Sequence, residues 1–287
     1  MQHYIEKIFT APVYDVATKT PLDAMPRLSD RIGHNVLCKR EDLQPVFSFK
    51  LRGAYTKMYR LSTEERARGV ICASAGNHAQ GVALSANRLC RAVIVMPVTT
   101  PQIKIDAVRR LGGAQVEIVL HGDFYDAASQ HARELQTAHG YTYIHPFDDP
   151  DVIAGQGTIA LEILTQHPHH IDAIFVPCGG GGLLAGIAVL VKALRPDIKI
   201  IGVEPEDAAS MTTAVRGGKR QTLDQVGIFA DGVAVKMPGE LTFELIKQHV
   251  DDFITVSTDE ICAAMKDLFD DTRAIAEPSG AVAAAGI

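Results

Sequence analysis

Four consecutive glycines are the most distinctive feature of the sequence that could carry chemistry. They run from Gly179 to Gly182, between a strand-like apolar run and an apolar segment that begins at Leu183. Glycines let backbone N–H groups surround an anion, and a helix start adds favourable partial charge. Glycines can also serve close packing alone, but four in a row exceed what a tight turn needs. The loop predicts a phosphate site, and it is not a P-loop because no Lys-Ser/Thr follows.

The same segment also fits a dinucleotide-binding fingerprint. Gly180, Gly182 and Ala185 match the pattern G-x-G-x-x-G/A between a strand and a helix. Glu204 ends the next predicted strand, roughly 20 residues on, where an acid that binds the ribose is expected. This segment alone therefore leaves NAD open as a ligand.

Lys50 is the candidate nucleophile. It lies in the segment 48–54 (SFKLRGA), beside the apolar residues Phe47, Phe49 and Leu51. An amine in such surroundings can form a Schiff base with a carbonyl compound. The alternative is a surface lysine whose aliphatic stem packs on the protein next to Arg52.

A third polar segment, residues 74–78 (SAGNH), directly follows a short apolar run. Ser74, Gly76, Asn77 and His78 supply a hydroxyl, free N–H groups, an amide and an imidazole on one strand-to-helix turn. Such a turn can hold a carboxylate. The alternative is an ordinary helix start with Ser or Asn as the N-cap.

The elements that must position these segments alternate regularly. Apolar runs predict strands over residues 70–73, 92–96, 115–120, 141–145, 173–177 and 198–203. Amphipathic or apolar stretches predict helices over residues 78–89, 103–111, 123–139, 150–166 and 183–194. Strands that alternate with helices of this length indicate βαβ units and parallel sheets. We predict two α/β lobes with a boundary near residues 146–151, where Pro and Asp cluster.

Taken together, the motifs resemble the fold-type II pyridoxal-phosphate enzymes of the serine/threonine dehydratase group. The resemblance rests on four segments in matching order: 48–54 (SFKLRGA), 74–81 (SAGNHAQG), 178–183 (CGGGGL) and 277–281 (EPSGA). Residues 229–235 (FADGVAV) and 261–269 (ICAAMKDLF) resemble the biosynthetic threonine dehydratase branch of the group. The resemblance runs from about Ala11 to the last residue, and it reduces NAD to a remote alternative.

The resemblance implies a two-domain α/β architecture like that of the tryptophan synthase β subunit. Parallel sheets would form both domains, and the cofactor would lie in the interdomain cleft. Residues 1–65 and 150–287 would form the larger, cofactor-binding domain, whose C-terminal end is expected to be incomplete. Residues 66–149 would form the smaller domain.

The resemblance also assigns roles around the cofactor, pyridoxal 5′-phosphate. Lys50 would hold it as a Schiff base and later move the Cα proton of the substrate, while Asn77 would bond its phenolic oxygen. Phe49 and Gly232 would lie beside its ring. The phosphate would be held by the backbone of Gly179, Gly180, Gly181, Gly182 and Leu183. The substrate carboxylate would be received by Ser74, Ala75, Gly76, Asn77 and His78.

The implied reaction is conversion of L-threonine to 2-oxobutanoate and ammonia, the first committed step towards isoleucine, with L-serine as a secondary substrate. The alternatives are a serine dehydratase or racemase-like enzyme and a catalytically impaired, cofactor-binding fragment. Ala75 stands where a racemase would carry a second catalytic serine, so elimination is favoured over racemisation. Glu204, Ala208 and Ser210 align with a divalent-cation site of the racemase-like members, but Ser210 replaces an acid, and no metal is predicted.

One family feature is not found in the sequence. The family's serine-containing segment that faces the pyridine nitrogen is expected beyond Ile287, as is the regulatory domain of the biosynthetic enzymes. We therefore expect a longer parent polypeptide that forms a homotetramer. The 287-residue chain by itself is expected to be poorly soluble or to bind the cofactor weakly.

Composition limits the other partners. The net charge is −6 and no block of basic residues occurs, so nucleic acid is an unfavourable partner. The longest apolar run, residues 183–191, is about half the roughly 20 residues of a membrane span, and the N-terminus lacks a secretory pattern. Five scattered cysteines without a CxxC pattern indicate a reducing compartment, so a cytoplasmic location is expected.

Overall fold

A computed structural model describes all 287 residues, and its helices and strands alternate along most of the chain. The strands are β1 (Leu22–Ala24), β2 (Leu37–Lys39), β3 (Val70–Ala73), β4 (Ala92–Met96), β5 (Val116–Leu120), β6 (Thr142–Tyr143), β7 (Ala173–Pro177), β8 (Lys199–Pro205) and β9 (Asp252–Val256). The helices are α1 (Gln2–Phe9), α2 (Pro26–Ile32), α3 (Lys50–Tyr59), α4 (Thr63–Arg68), α5 (Asn77–Leu89), α6 (Gln102–Gly112), α7 (Tyr125–His139), α8 (Pro150–Gln166), α9 (Gly182–Leu194), α10 (Ser210–Gly217), α11 (Glu240–His249), α12 (Thr258–Thr272) and α13 (Pro278–Ala285).

The chain forms two compact units. The lysine unit, named for Lys50, consists of residues 10–18 and 41–155. The glycine-loop unit, named for residues 179–182, consists of residues 1–9, 19–40 and 156–287. The chain passes between them inside α8 rather than at the predicted boundary near residues 146–151. Residues 10–18 and 41–65 pack in the lysine unit, whereas all of residues 1–65 were predicted in the larger domain.

The lysine unit contains a four-stranded parallel sheet in the order β5-β4-β3-β6. Every residue of β3 and β4 is buried, which explains why their sequences are continuous apolar runs. One core cluster joins Ile94 of β4 with residues of α5 and α6, and a second joins Val93 with α7. Strand β6 spans only two residues, fewer than the predicted 141–145, and lies at the sheet edge.

Helix α3 belongs to the lysine unit because it packs directly on α5. A Cβ atom added at Gly81 of α5 would lie 3.0 Å from backbone atoms of Lys50 and Leu51. Met58 of α3 is buried in the same core cluster as β3 and β4. Such tertiary contacts carry no local signature, which explains why α3 was predicted in the larger domain.

A buried ion pair fixes the start of α3 as well. Arg52 is fully buried, and its Nε and Nη2 atoms donate to the two carboxylate oxygens of Glu41 at 2.8 and 2.9 Å. Arg52 Nη2 also lies 3.4 Å from the carbonyl oxygen of Thr18. This bidentate ion pair holds residues 41–43 against α3.

The glycine-loop unit contains a three-stranded parallel sheet in the order β7-β8-β9 and a separate antiparallel pair, β1 and β2. The central strand β8 is buried from Ile200 to Pro205. Helix α13 packs against it so closely that a Cβ atom at Gly286 would lie 2.8 Å from a methyl group of Val203. The glycine loop follows β7 and leads directly into α9.

Two further observations bear on the sequence analysis. No helix combines the length and the apolar character needed to cross a membrane. The five cysteines are free thiols: Cys38, Cys72, Cys90, Cys178 and Cys262.

Substitution Glu41→Ala should strongly destabilise the lysine unit. The change leaves the Arg52 guanidinium buried without its carboxylate, and breaking such a pair lowers the free energy of unfolding by about 3–5 kcal/mol. Urea unfolding at neutral pH measures the difference. Glu117→Ala, which removes the partner of the exposed Arg91, is the matched control and should change stability little. Equal effects of the two substitutions would contradict the structural role of Arg52.

Candidate active site

Lys50 is the first residue of α3, and its side chain is half-buried in the lysine unit. Its Nζ atom donates to the carbonyl oxygen of Pro146 at 3.3 Å and lies 5.2 Å from the centre of the Phe49 ring. Phe47 does not contribute to the surroundings as predicted, because it is 70% exposed and has a positive φ of 57°.

The polar turn 74–78 connects β3 to α5. The Ser74 hydroxyl accepts a hydrogen bond from the Gly76 N–H at 3.2 Å, and Gly76 is the N-cap residue of α5. No side-chain hydrogen bond caps the helix, contrary to the alternative of an ordinary Ser or Asn cap. The first N–H groups of α5 have no partner within the helix and carry partial positive charge. A carboxylate fits this position.

His78 lies in the first turn of α5 and is buried. Its Nε2 atom is 2.9 Å from the carbonyl oxygen of Ile144, so Nε2 carries the proton of the neutral ring. Burial, with a smaller contribution from the charge of Lys50, lowers the pKa of His78 to about 3. The imidazole next to the polar turn 74–78 is therefore neutral at neutral pH.

A second histidine, His145, stands beside Lys50, and the sequence analysis did not identify it as a site residue. Its Nδ1 atom accepts hydrogen bonds from the backbone N–H groups of Phe147 at 3.3 Å and Asp148 at 2.8 Å. Burial lowers the pKa of His145 to about 4, against the opposing charge of Asp148. The signal that could have found it is its place at the end of a predicted strand, just before the Pro/Asp cluster.

In the other unit, two residues of the glycine loop are in close contact with neighbouring segments. A Cβ atom at Gly179 would lie 2.9 Å from the backbone of Val233. Gly181 has a φ of +96°, and a Cβ atom there would lie 2.6 Å from the Met211 side chain. The hydroxyl of Thr242 donates to the Gly180 carbonyl oxygen at 2.6 Å. Close packing thus requires glycine at these two positions.

The loop also has the properties of an anion site. Helix α9 begins at Gly182, and no side-chain hydrogen bond caps it. Its first N–H groups, including that of Leu183, have no acceptor within the helix. Small residues keep the backbone accessible, and the orientation of the helix favours negative charge. A phosphate group fits this arrangement.

Gly232 lies in the same unit, one residue before the segment that touches Gly179. Its N–H donates to the Ser279 hydroxyl at 2.8 Å, and a Cβ atom at Gly232 would lie 2.8 Å from that oxygen. The structure therefore groups the predicted residues in two sets. Gly232 and the glycine loop lie in one unit, and Phe49, Lys50 and residues 74–78 lie in the other.

Glu204 has a structural task that conflicts with the dinucleotide interpretation. It is fully buried and accepts hydrogen bonds from the Met211 N–H at 3.0 Å and from the Thr212 N–H and hydroxyl, both at 2.6 Å. Burial raises the pKa of Glu204 to about 7. The carboxyl group caps the first turn of α10 and is not available to a ribose. The side chain of the neighbouring Ala208 carries no ligand atom, and the hydroxyl of Ser210 is buried without a hydrogen-bond partner.

Comparisons with known proteins identify the family of the chain. The family model described as "Pyridoxal-phosphate dependent enzyme" matches residues 13–287. The biosynthetic L-threonine dehydratase IlvA of Burkholderia multivorans is 59% identical over 284 residues, which are 99% of this chain and 56% of that protein. The chain thus spans about half the length of the curated relatives it matches.

Two solved structures illustrate the similarity of the fold. The processed form of threonine deaminase isoform 2 from Solanum lycopersicum is 56% identical with a TM-score of 0.96, and the match covers 99% of this chain and 82% of that chain. Maize serine racemase is 34% identical with a TM-score of 0.93, and the match covers 98% of this chain and 85% of that chain.

The buried histidine His78 should make folding sensitive to acid. Its pKa is about 3 in the folded state and about 6.5 in an unfolded chain, so its contribution to stability is fully present above pH 6.5 and is lost as the pH falls towards 3. Glutamine at residue 78 keeps an N–H donor for Ile144 but cannot titrate. Between pH 7 and pH 4.5, we therefore expect the wild-type protein to lose about 2–3 kcal/mol more unfolding free energy than His78→Gln.

Urea unfolding at the two pH values measures this difference. The exposed His139 provides the control, because His139→Gln should leave the pH dependence of the wild-type protein in place. An identical pH dependence in wild type and His78→Gln would show that His78 is not held neutral by burial.

Proposed function

Because the chain belongs to the pyridoxal-phosphate dependent enzyme family, we propose that it deaminates L-threonine to 2-oxobutanoate and ammonia, with L-serine as a secondary substrate. The family match confirms the predicted family, the α/β fold class and the dependence on pyridoxal phosphate. The observation that carries the proposed substrate is 59% identity to a threonine dehydratase over 99% of this chain. We propose that this reaction serves amino-acid biosynthesis, as the first committed step towards isoleucine.

The residues of both units fit the cofactor. Lys50 offers a half-buried amine, and α9 offers an uncapped N-terminus for the phosphate. The close approach of Gly179 to Val233 leaves no room for a side chain in the cradle. We assign cofactor binding to Phe49, Lys50, Asn77, Gly179, Gly180, Gly181, Gly182, Leu183 and Gly232. When bound, the cofactor withdraws electrons from the substrate Cα and makes its proton acidic.

The chain's own residues supply binding, orientation and proton transfer. The substrate carboxylate would be received at the start of α5, by Ser74, Ala75, Gly76, Asn77 and His78. Lys50 would take the Cα proton at Nζ, because it is the basic side chain that the family motif places at the reacting carbon. His78 is neutral at neutral pH and donates to the Ile144 carbonyl oxygen. It would therefore orient the turn without competing for the Cα proton. Preference for threonine over serine rests on one methyl group, worth about 1–3 kcal/mol.

Racemisation is the second candidate reaction, favoured by the similarity to maize serine racemase. It requires an acid on the opposite face of the substrate. Ala75 stands at that position of the family motif and has no hydroxyl group. We therefore propose elimination as the reaction. A catalytically impaired, cofactor-binding fragment is the remaining alternative, and a spectrum recorded before and after threonine addition distinguishes it.

We also propose a cytoplasmic location and assembly into a homotetramer in the full-length form. The location is supported by the free thiols of all five cysteines and by the relationship to the bacterial threonine dehydratase, whereas the homotetramer rests on the family resemblance alone. Free thiols persist in a reducing compartment.

Substitution Lys50→Ala should remove both the activity and the visible absorbance of the bound cofactor. Loss of the amine eliminates the covalent link and the base together, and we expect activity to fall by at least about 10³-fold. Oxoacid formation from threonine and the absorption spectrum measure the two effects. Lys219→Ala, at an exposed lysine, is the control and should change neither. A fully active Lys50→Ala protein with covalently bound cofactor would refute the assignment.

Substitution Ala75→Ser should introduce D-serine formation. A hydroxyl at residue 75 would supply the missing acid, and a positioned general acid contributes about 10²–10⁴-fold. We expect at least about 10²-fold more D-serine from L-serine than the wild-type protein gives, measured by chiral chromatography. Ala75→Val, which adds bulk without a hydroxyl, is the control. If the wild-type protein formed D-serine faster than oxoacid, the racemase alternative would be correct.

A further inference from the structure

The connector between β6 and α8 runs beside the candidate catalytic lysine. Two of its carbonyl oxygens accept hydrogen bonds from site residues within the lysine unit. The Ile144 oxygen is 2.9 Å from Nε2 of His78, and the Pro146 oxygen is 3.3 Å from Nζ of Lys50. The family motifs do not include this connector, so only the structure shows that it contacts the candidate site.

The orientation of the Pro146 carbonyl is set by His145. The carbonyl group of Pro146 and the N–H group of Phe147 belong to one planar peptide unit and point in opposite directions. Nδ1 of His145 accepts from this N–H at 3.3 Å and from the next one, of Asp148, at 2.8 Å. The imidazole also meets the Phe147 ring edge-on, with ring centres 4.7 Å apart. By holding the N–H side of the peptide, His145 turns its carbonyl side towards Lys50.

The far end of the connector is anchored to the helix that carries Lys50. Lys57 of α3 forms an ion pair with Asp149 at 2.8 Å, and Arg60 of α3 forms one with Asp151 at 2.7 Å. Asp149 also accepts the N–H of Asp151 at 2.8 Å, which caps the start of α8. The amine and its carbonyl acceptor are therefore held by the same helix.

We infer that His145 is a positioning residue for Lys50, and that the Pro146 carbonyl is the resting acceptor of the lysine amine whenever that amine is not bonded to the cofactor. The inference deepens the proposed function and rests on its assignment of Lys50. A lysine has a flexible four-carbon stem, so each fixed acceptor narrows the directions that its amine samples. A fixed acceptor on one side of Nζ keeps the amine near the position from which it reacts.

The device requires an unprotonated Nδ1 on His145, because a proton there would face the two N–H groups. Burial and the charges of Arg133 and Lys50 favour the neutral ring, whereas Asp148 and Asp149 favour the charged one. The net result lowers the pKa of His145 to about 4. Nδ1 of His145 can thus accept the two N–H groups throughout the neutral pH range, and it loses this capacity only in acid.

Reattachment of the cofactor to Lys50 tests the inference without any amino-acid substrate. Two variants of the full chain, His145→Leu and His145→Asn, are stripped of cofactor with hydroxylamine and mixed with pyridoxal phosphate. Leucine has no acceptor, whereas the asparagine side-chain oxygen can accept N–H groups two or three residues ahead. The rate of the visible absorbance change is measured across the pH range. Borohydride reduction and peptide mapping confirm attachment at Lys50.

We expect His145→Leu to slow attachment by about 10–100-fold and His145→Asn to stay within about two-fold of the wild-type rate. The exposed His139→Leu is the control and should react like the wild-type chain. Circular dichroism verifies folding. Should His145→Leu unfold, His145→Phe keeps the ring contact with Phe147 and lacks the acceptor in the same way.

Three outcomes separate the inference from the proposed function. A folded His145→Leu or His145→Phe chain that attaches the cofactor at the wild-type rate overturns the inference and leaves the function intact. An attachment rate of His145→Asn as slow as that of His145→Leu also overturns the inference, because a hydrogen-bond acceptor on side chain 145 then has no role. A wild-type chain that forms no adduct at Lys50 refutes the proposed function itself.

Discussion

The contact between α3 and α5 is the constraint on which the site in the lysine unit depends. Each helix begins at a segment of the candidate site, α3 with Lys50 and α5 with Asn77. Gly81 lets the two backbones approach to a distance at which any side chain would be in contact with Lys50 and Leu51. The amine and the carboxylate turn are therefore held at a spacing fixed by backbone packing. The buried pair of Arg52 with Glu41 keeps α3 in this place.

The sequence was most informative where one element is buried on both sides. Strands β3 and β4 are buried throughout and have the predicted bounds, because each is a continuous apolar run that a proline or a polar turn interrupts. Strand β7 also has the predicted bounds, although most of its residues are half-buried. Strand β6 is shorter than predicted, since it pairs with β3 alone and the chain leaves the sheet before His145. The grouping of α3 with α5 was missed because it depends on tertiary contacts. Local patterns describe single elements and not their partners.

The motifs located the candidate site, but they did not show which way each side chain faces. The spacing of Glu204 fits a ribose-binding acid, yet its carboxyl group is turned inward to cap α10. Phe47 belongs to the apolar motif around Lys50, yet its positive φ directs it to solvent. His145 belongs to no motif and still contacts the peptide that faces the lysine. A spacing pattern fixes position along the chain, whereas direction depends on the backbone.

The two histidines of the lysine unit show why burial matters for this chemistry. Both are neutral, but they use opposite nitrogens: His78 donates through Nε2, and His145 accepts through Nδ1. Protonation of His78 would preserve its bond to Ile144 and is opposed by burial and by the charge of Lys50. Protonation of His145 is opposed by burial and would also remove the Nδ1 acceptor. Burial disfavours both events at neutral pH. In the proposed reaction, Lys50 would then be the basic group left to exchange a proton at the substrate Cα, and the two imidazoles contact the connector whose carbonyl faces it.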